Sequence, residues 1–496
     1  MNPSTALAAV VLVTAATVLV AVYGLRLSRT TSDFYVASRT VKPWWNASAI
    51  GGEYLSAASF LGVAGLIVVS GQDALWFPIG YTAGYLMLLL FVAAPLRRSG
   101  AYTLPDFAEA RLGSMTPRQV TSGLVVVVGW LYIVPQLHGA ALTLGITTGL
   151  PGWLGAVLVM VIVCVTVLAG GMRSITFVQA FQYWLKLLAL AVPAVFLLLH
   201  LGLAGESATA GGRAFERGPG TGLGIYGTIS LIVALLFGTL GLPHVLVRFY
   251  TNPDGPSARR TTVIVLGLLS LFYLFPTMLG VLGRTFTPEL AASGNADATI
   301  LLLPGRIVGG TAGDVLSALV IGGAFAAFLS TTSGLVVSLA GVISQGLFKG
   351  TVRGFRISTV AACAVPLLLA VGTSSFALAG AIGSVFAFTA STICPLLLLG
   401  IWWRRLTAAG AVAGMVAGAV ACGGALVAAG LPLGLPSGVV QLLEQPAAWT
   451  VPLAFLTMVV VSRAGRPAAH VGAVMARLHA PEARMPGPEG PSRSRP

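Results

Sequence analysis

The chain has 496 residues, of which 56% are apolar and only 8% are Asp, Glu, Lys or Arg, with a formal net charge of +14. Soluble domains carry about 25% charged residues, so this composition cannot build a water-facing surface and most of the exterior must face lipid. The basic excess sits in loops between apolar runs, so it reports topology rather than a nucleic-acid partner.

The apolar runs are continuous, and their length of about 20 residues is what a helix needs to span a bilayer. Barrel strands would alternate over about ten positions. Lipid offers the backbone no partners, so the expected class is an all-α membrane protein. Thirteen spans are expected, at residues 5–25, 45–69, 75–95, 122–147, 153–169, 176–201, 222–242, 262–282, 315–347, 360–371, 376–402, 408–431 and 449–461. The first run has no basic start before it, so it reads as a span and not a signal peptide.

Of the 28 Lys and Arg residues, 23 fall in one set of loops and the tail, four (Arg213, Arg217, Arg284, Arg306) fall in the other, and Lys186 lies inside a span. Positive residues stay on the cytoplasmic side. The expectation is a multi-pass protein of the cell membrane with its N-terminus outside and its C-terminus in the cytoplasm. Residues 1–465 then form the transmembrane domain. Residues 466–496 are rich in Pro, Gly and Arg and are expected to be a disordered cytoplasmic tail.

Polar residues at membrane depth need a reason, and four stretches carry them. Ser48–Ser59, SAIGGEYLSAAS, holds a Gly pair beside Glu53. Glycine weakens a helix interior by about 1 kcal/mol relative to Ala, which suggests a break that exposes carbonyls. Trp130–His138, WLYIVPQLH, sets Tyr132 and Gln136 four apart on one helix face. Phe237–His244, FGTLGLPH, has two Gly and a Pro within six residues and cannot stay a regular helix. Ser330–Ser333, STTS, offers hydroxyl oxygens to a hard cation, or bonds back to its own preceding turn.

Spans two and seven are each broken, five spans apart. Matching interruptions in two halves point to a transporter site, with halves at about residues 45–201 and 222–402 and inverted because five is odd. No Walker loop, nucleophile elbow or metal-ligand spacing is present. Cys164, Cys363, Cys394 and Cys422 all lie inside apolar runs. No catalytic residue is expected, and the reading is a secondary transporter, not an enzyme, an ATP-driven pump or a channel.

The stretch GGEYLSAASFLGVAGLI (Gly51–Ile67), with DFYVASR (Asp33–Arg39) before it, resembles the sodium:solute symporter family. GGMRSITFVQAFQ (Gly170–Gln182) does too, and GTLGLPHVLVRFYT (Gly238–Thr251) resembles its cation–acetate or monocarboxylate branch. The resemblance covers about residues 33–403. It implies a LeuT-like core of five plus five helices with one extra helix before it and two after. It implies co-transported sodium held by the carbonyls of Gly52, Leu55 and Ala327 and the hydroxyls of Ser330 and Thr331. Gln179 stands where some members carry an aspartate for a second sodium, so one sodium per solute is expected. The resemblance puts the solute near Ser56, Ser59, Gln136, Thr239 and Gly241. The function it implies is sodium-coupled uptake of acetate or another short monocarboxylate by alternating access. The alternatives are proton coupling, with Glu53 as the cycling acid, and another small solute such as an amino acid. The expected partners are a small organic anion and the lipid bilayer, with no nucleic acid.

Overall fold

A computed structural model describes residues 2–25, 41–203, 224–373 and 377–480. DFYVASR, the loop of Arg213 and Arg217, and residues 481–496 lie outside the described residues. The described chain is helical throughout. Helix α1 (Pro3–Leu25) is followed by α2 (Pro43–Tyr54), α3 (Val63–Ser70), α4 (Trp76–Phe91), α5 (Met115–Thr148) and α6 (Trp153–Leu203). The second half comprises α7 (Gly224–Gly241), α8 (Pro243–Phe249), α9 (Gly255–Phe286), α10 (Gly310–Leu347), α11 (Val352–Gly372) and α12 (Leu378–Trp402). Helices α13 (Ala408–Ala429), α14 (Ala447–Ala464) and α15 (Val471–His479) complete it.

Eleven described helices are long and apolar enough to cross a membrane. The thirteen expected spans divide two of these. One runs from Ala58 to Phe91 and turns at Gly71, where φ is 62°. The other is α6. Its 51 residues would measure about 75 Å if straight, more than twice the hydrocarbon thickness of about 30 Å. It changes direction at Gly171 (φ 57°, ψ −157°), a conformation open to glycine.

The core is α10. From Val320 to Val342 every residue is buried, so this helix touches protein on every side and carries apolar residues on all its faces around the STTS hydroxyls. It packs against α6, α5, α1 and α11. Small residues allow the close approaches that hold helices together in lipid. A Cβ on Gly52 would overlap the Gln179 carbonyl, and one on Gly334 would overlap the Glu53 carboxylate.

Both expected breaks are present, for different reasons. The first falls at Leu55–Ser56, with Leu55 at φ −74°, ψ 84°. It does not fall at Gly51–Gly52, which stays helical. The glycine pair instead admits α6: the Tyr183 ring lies where a Cβ on Gly51 would project. The second break is at Leu242 (φ −71°, ψ 112°), just before Pro243 opens α8. That is where proline belongs, because the first turn needs no donor there. The broken helices meet at the centre, where Asn46 Nδ2 donates to the Arg248 carbonyl at 3.1 Å.

The expectation of a structureless tail from residue 466 is corrected for its first part. Residues 471–479 form α15, which buries Val471, Met475 and Leu478. Arg98 donates to the Leu478 carbonyl at 3.2 Å, and His479 bonds the Ile401 carbonyl at 2.8 Å. One face of three apolar residues spaced four and three apart is enough to dock a short helix on the bundle.

Candidate functional site

Around the first break, side chains from α2, α6, α8 and α10 form one connected polar network. Glu53 accepts from Arg248 Nε at 2.6 Å, and both side chains are 1% exposed. The same guanidinium donates to Thr176 Oγ1 at 2.8 Å and to Gln179 Oε1. Gln179 passes the network on, donating to the Ser330 carbonyl at 2.8 Å. An aspartate at 179 could accept from Arg248 but could not donate to that carbonyl.

Of the five residues expected at the sodium site, three converge on one point. The Gly52 carbonyl, the Leu55 carbonyl and Ser330 Oγ lie 2.5, 2.7 and 3.0 Å from Lys186 Nζ. Ser330 Oγ in turn donates to the Ala327 carbonyl at 3.0 Å. Thr331 is turned away, its hydroxyl donating to the Glu53 carbonyl at 2.6 Å. Ser333 bonds back to Leu329 at 2.6 Å. The STTS run therefore uses both of the options open to it: back-bonding, and oxygen contacts to a cation. That cation is the ammonium of Lys186.

The residues expected around the solute are near the breaks, and most already hold protein partners. Gln136 Oε1 accepts from the Ala57 N–H at 2.8 Å, taking one of the donors that the broken helix exposes. Ser59 Oγ pairs with the Tyr273 hydroxyl at 2.9 Å, and Thr239 Oγ1 with the Tyr54 hydroxyl at 3.2 Å. Ser56 is buried at the break itself. Gly241 lets the second break approach Thr389, whose carbonyl a Cβ would meet at 2.9 Å.

Sequence reading missed the aromatic wall between these groups. Tyr54 lies 4.6 Å from Tyr85, Tyr81 lies 5.1 Å from Phe386, and Tyr132 lies 5.1 Å from His244, centroid to centroid. The Tyr81 and Tyr85 hydroxyls and both His244 ring nitrogens are buried and make no hydrogen bond among the described residues. His244 could have been found, because it follows the proline of the second break. The tyrosines of α4 lie in an otherwise ordinary apolar run and carry no such signal. The centre is closed: Glu53, Lys186, Thr239 and His244 are at most 1% exposed. A crevice between Val125, Pro243, Val247, Val337 and Phe355 has a volume of about 10 Å³, too small for any solute.

The fold and sequence have relatives. The chain is 31% identical over 417 residues to the uncharacterized symporter YwcA of Bacillus subtilis (strain 168), covering 80% of each chain. It superposes on a Na+-coupled sialic acid symporter in its substrate-bound, outward-open state with a TM-score of 0.72 at 15% identity, covering 93% of this chain and 98% of that one. It superposes on MhsT in complex with L-phenylalanine with a TM-score of 0.58 at 13% identity, covering 85% and 98%. The fold is therefore LeuT-like. Residues 34–418 match the family described as SSF, Sodium:solute symporter family. The chain belongs to the Sodium:solute symporter family: it is a membrane transporter and not an enzyme, and sodium is its co-transported ion.

Proposed function

We propose that this symporter imports acetate or another short monocarboxylate together with sodium, by alternating access of the closed centre to the two sides of the membrane. The observation that carries the reading is the set of buried donors between the breaks: Tyr81, Tyr85 and His244, with no acceptor among the described residues. Leaving a buried polar group unpaired costs about 1–3 kcal/mol, and a carboxylate supplies acceptors to several at once. In this reading sodium is held by the converging oxygens of Gly52, Leu55 and Ser330, with Ala327 and Thr331 reaching it only when their present hydrogen bonds are released, and the solute meets Ser56, Ser59, Gln136, Thr239 and Gly241 beside the new aromatic residues. The halves at about residues 45–201 and 222–402 are read as the inverted repeat.

The test is uptake of labelled acetate, and of two- to four-carbon monocarboxylates in competition, into proteoliposomes with sodium and proton gradients imposed separately. Uptake driven by the sodium gradient alone supports the reading. Uptake driven only by protons would replace the ion, and competition by an amino acid but by no monocarboxylate would replace the solute. Proton cycling through Glu53 has less support, because its carboxylate is engaged by Arg248.

For orientation we infer an outer N-terminus in the cell membrane. The basic loops gather at one end of the bundle, where Arg97 donates to the Asn252 and Pro253 carbonyls at 2.5 Å and Arg111 to the Gly400 carbonyl at 2.7 Å. In a cysteine-free background, Ser293→Cys should react with an impermeant thiol reagent applied outside, and Pro256→Cys should not. The opposite pattern overturns the orientation.

A further inference from the structure

We propose that the Lys186 ammonium is an internal rival of the co-transported sodium. It fills the oxygen cradle of the closed centre and must withdraw before the ion can enter there. The inference rests on the sodium-site reading above and on nothing about the solute.

The cradle is satisfied as completely as an ammonium allows. Lysine has three N–H donors and no acceptor, and Lys186 has three oxygen partners at 2.5, 2.7 and 3.0 Å. Two are main-chain carbonyls freed by the break after Tyr54, which no helical N–H claims. The third is a hydroxyl from α10. These are the oxygen types that a hard cation selects, at distances close to the roughly 2.3–2.6 Å of such ions. Nζ therefore stands where a sodium bound by the same three oxygens would stand, and the two cannot occupy the cradle together.

Charge balance points the same way. The charged groups facing the cradle are Lys186 itself and the Glu53–Arg248 pair, in which the carboxylate is already bonded to the guanidinium. With all three ionised, the centre holds two cations and one anion, all buried. Adding sodium while the ammonium stays would put a third cation within a few ångströms in a medium where like charges repel strongly. Exchange of one cation for another keeps the balance.

The stem also fits a device that moves. Lys186 lies on α6, which packs on both α2 and α10, the two elements that supply the cradle. A sliding of α6 relative to them carries Nζ out without breaking the carbonyl pair from which the ligands come. A site filled by the protein's own cation between cycles also gives sodium no idle seat when solute is absent.

The test uses the full-length protein in nanodiscs without organic solute, with potassium as the control salt. Sodium binding is measured for the parent, for Lys186→Met and for Lys186→Gln. Removing the rival should lower the half-saturating sodium concentration at least tenfold. The same holds if the parent's own binding is too weak to measure. Variants that keep their helical content and elute as one species, yet bind sodium no more tightly than the parent, overturn the proposal. A variant that is loose in potassium and tightened by sodium supports it, because the ion then replaces the missing charge.

A second measurement needs no variant. The chain has three lysines, Lys42, Lys186 and Lys349, so side-chain 15N labelling gives three ammonium signals. Sodium should move the Lys186 signal and leave the other two. A Lys186 signal that stays fixed through molar sodium overturns the proposal. Because no carboxylate solute is present, failure of the acetate reading leaves these outcomes unchanged.

Discussion

The two helix breaks lie side by side and are finished in opposite ways. At the first, after Tyr54, the charged donors are matched: Lys186 meets three oxygens, Gln136 takes the Ala57 N–H, and Arg248 donates to Glu53, Thr176 and Gln179, while Glu53 Oε1 and Thr332 Oγ1 have no partner among the described residues. At the second, just after Leu242, neither ring nitrogen of His244 has a partner among the described residues, and the hydroxyls of Tyr81 and Tyr85, whose rings pack on Tyr54, have none either. A satisfied centre is stable in the closed state, and any ion entering it must displace something. An unsatisfied one pays for its unpaired donors until a ligand brings acceptors. In the proposed reading the cation belongs to the first break, and the solute reaches from there to His244 at the second.

The largest expected effect comes from unbalancing the matched side. Arg248→Met would leave the buried Glu53 carboxylate without its partner, a loss on the order of 3–5 kcal/mol. Its melting temperature should fall far below the parent's. The double variant Arg248→Met with Glu53→Gln removes both charges and should regain much of that loss. A double variant as unstable as the single one would mean that the pair's shape, not its charge balance, holds the site.

Next in size is the cradle. Ser330→Ala with Thr331→Ala removes one hydroxyl on the cation and another that anchors the Glu53 carbonyl. Sodium stimulation of uptake should nearly vanish at normal protein level in the membrane. If this pair responds to sodium like the parent, the STTS hydroxyls serve only the helix, and the first break loses its role as the cation side.

On the unmatched side the effects should be smaller and confined to the solute. His244→Phe keeps the ring contact with Tyr132 but removes both nitrogens. Half-saturating acetate should rise tenfold or more, since a hydrogen bond to a charged group contributes about 1.5–3 kcal/mol and about 1.4 kcal/mol is a factor of ten, with the sodium requirement at saturating acetate little changed. An equal rise in the sodium requirement would show that the breaks do not divide the two ligands. Smallest is Tyr85→Phe, which removes a single unpaired hydroxyl while keeping the ring beside Tyr54. Without solute it should raise the melting temperature slightly, and any acetate-induced stabilisation should shrink by a few-fold. A fall in stability without solute would mean that the hydroxyl has a partner in the resting protein.

Much of the molecule was legible in the chain. Continuous apolar runs demanded helices, because lipid leaves the backbone no other partner. Gly-Leu-Pro at 241–243 demanded a break, because proline has no donor and its ring clashes with the preceding turn. The first break was anticipated for the wrong reason. Glycine at 51 and 52 signalled loosened helix, yet these residues are helical and mark the approach of α6. The docked helix at Val471–His479 was hidden by the Pro, Gly and Arg around it, since three apolar residues count for little until a surface is there to receive them.

The sequence by itself determined the class and the two interruptions, since those follow from residue type and local spacing, and its resemblance to the sodium:solute symporter family supplied the candidate oxygens. Tertiary structure alone decided what those oxygens hold. Lys186 stands 131 residues from Leu55 and 144 from Ser330, and in sequence it was a lone cation inside a span with no visible partner. Only the packing of α6 between α2 and α10 brings its Nζ to the broken carbonyls. A buried charge is tolerable where three acceptors converge on it, and that convergence is a property of three helices and of none of them singly.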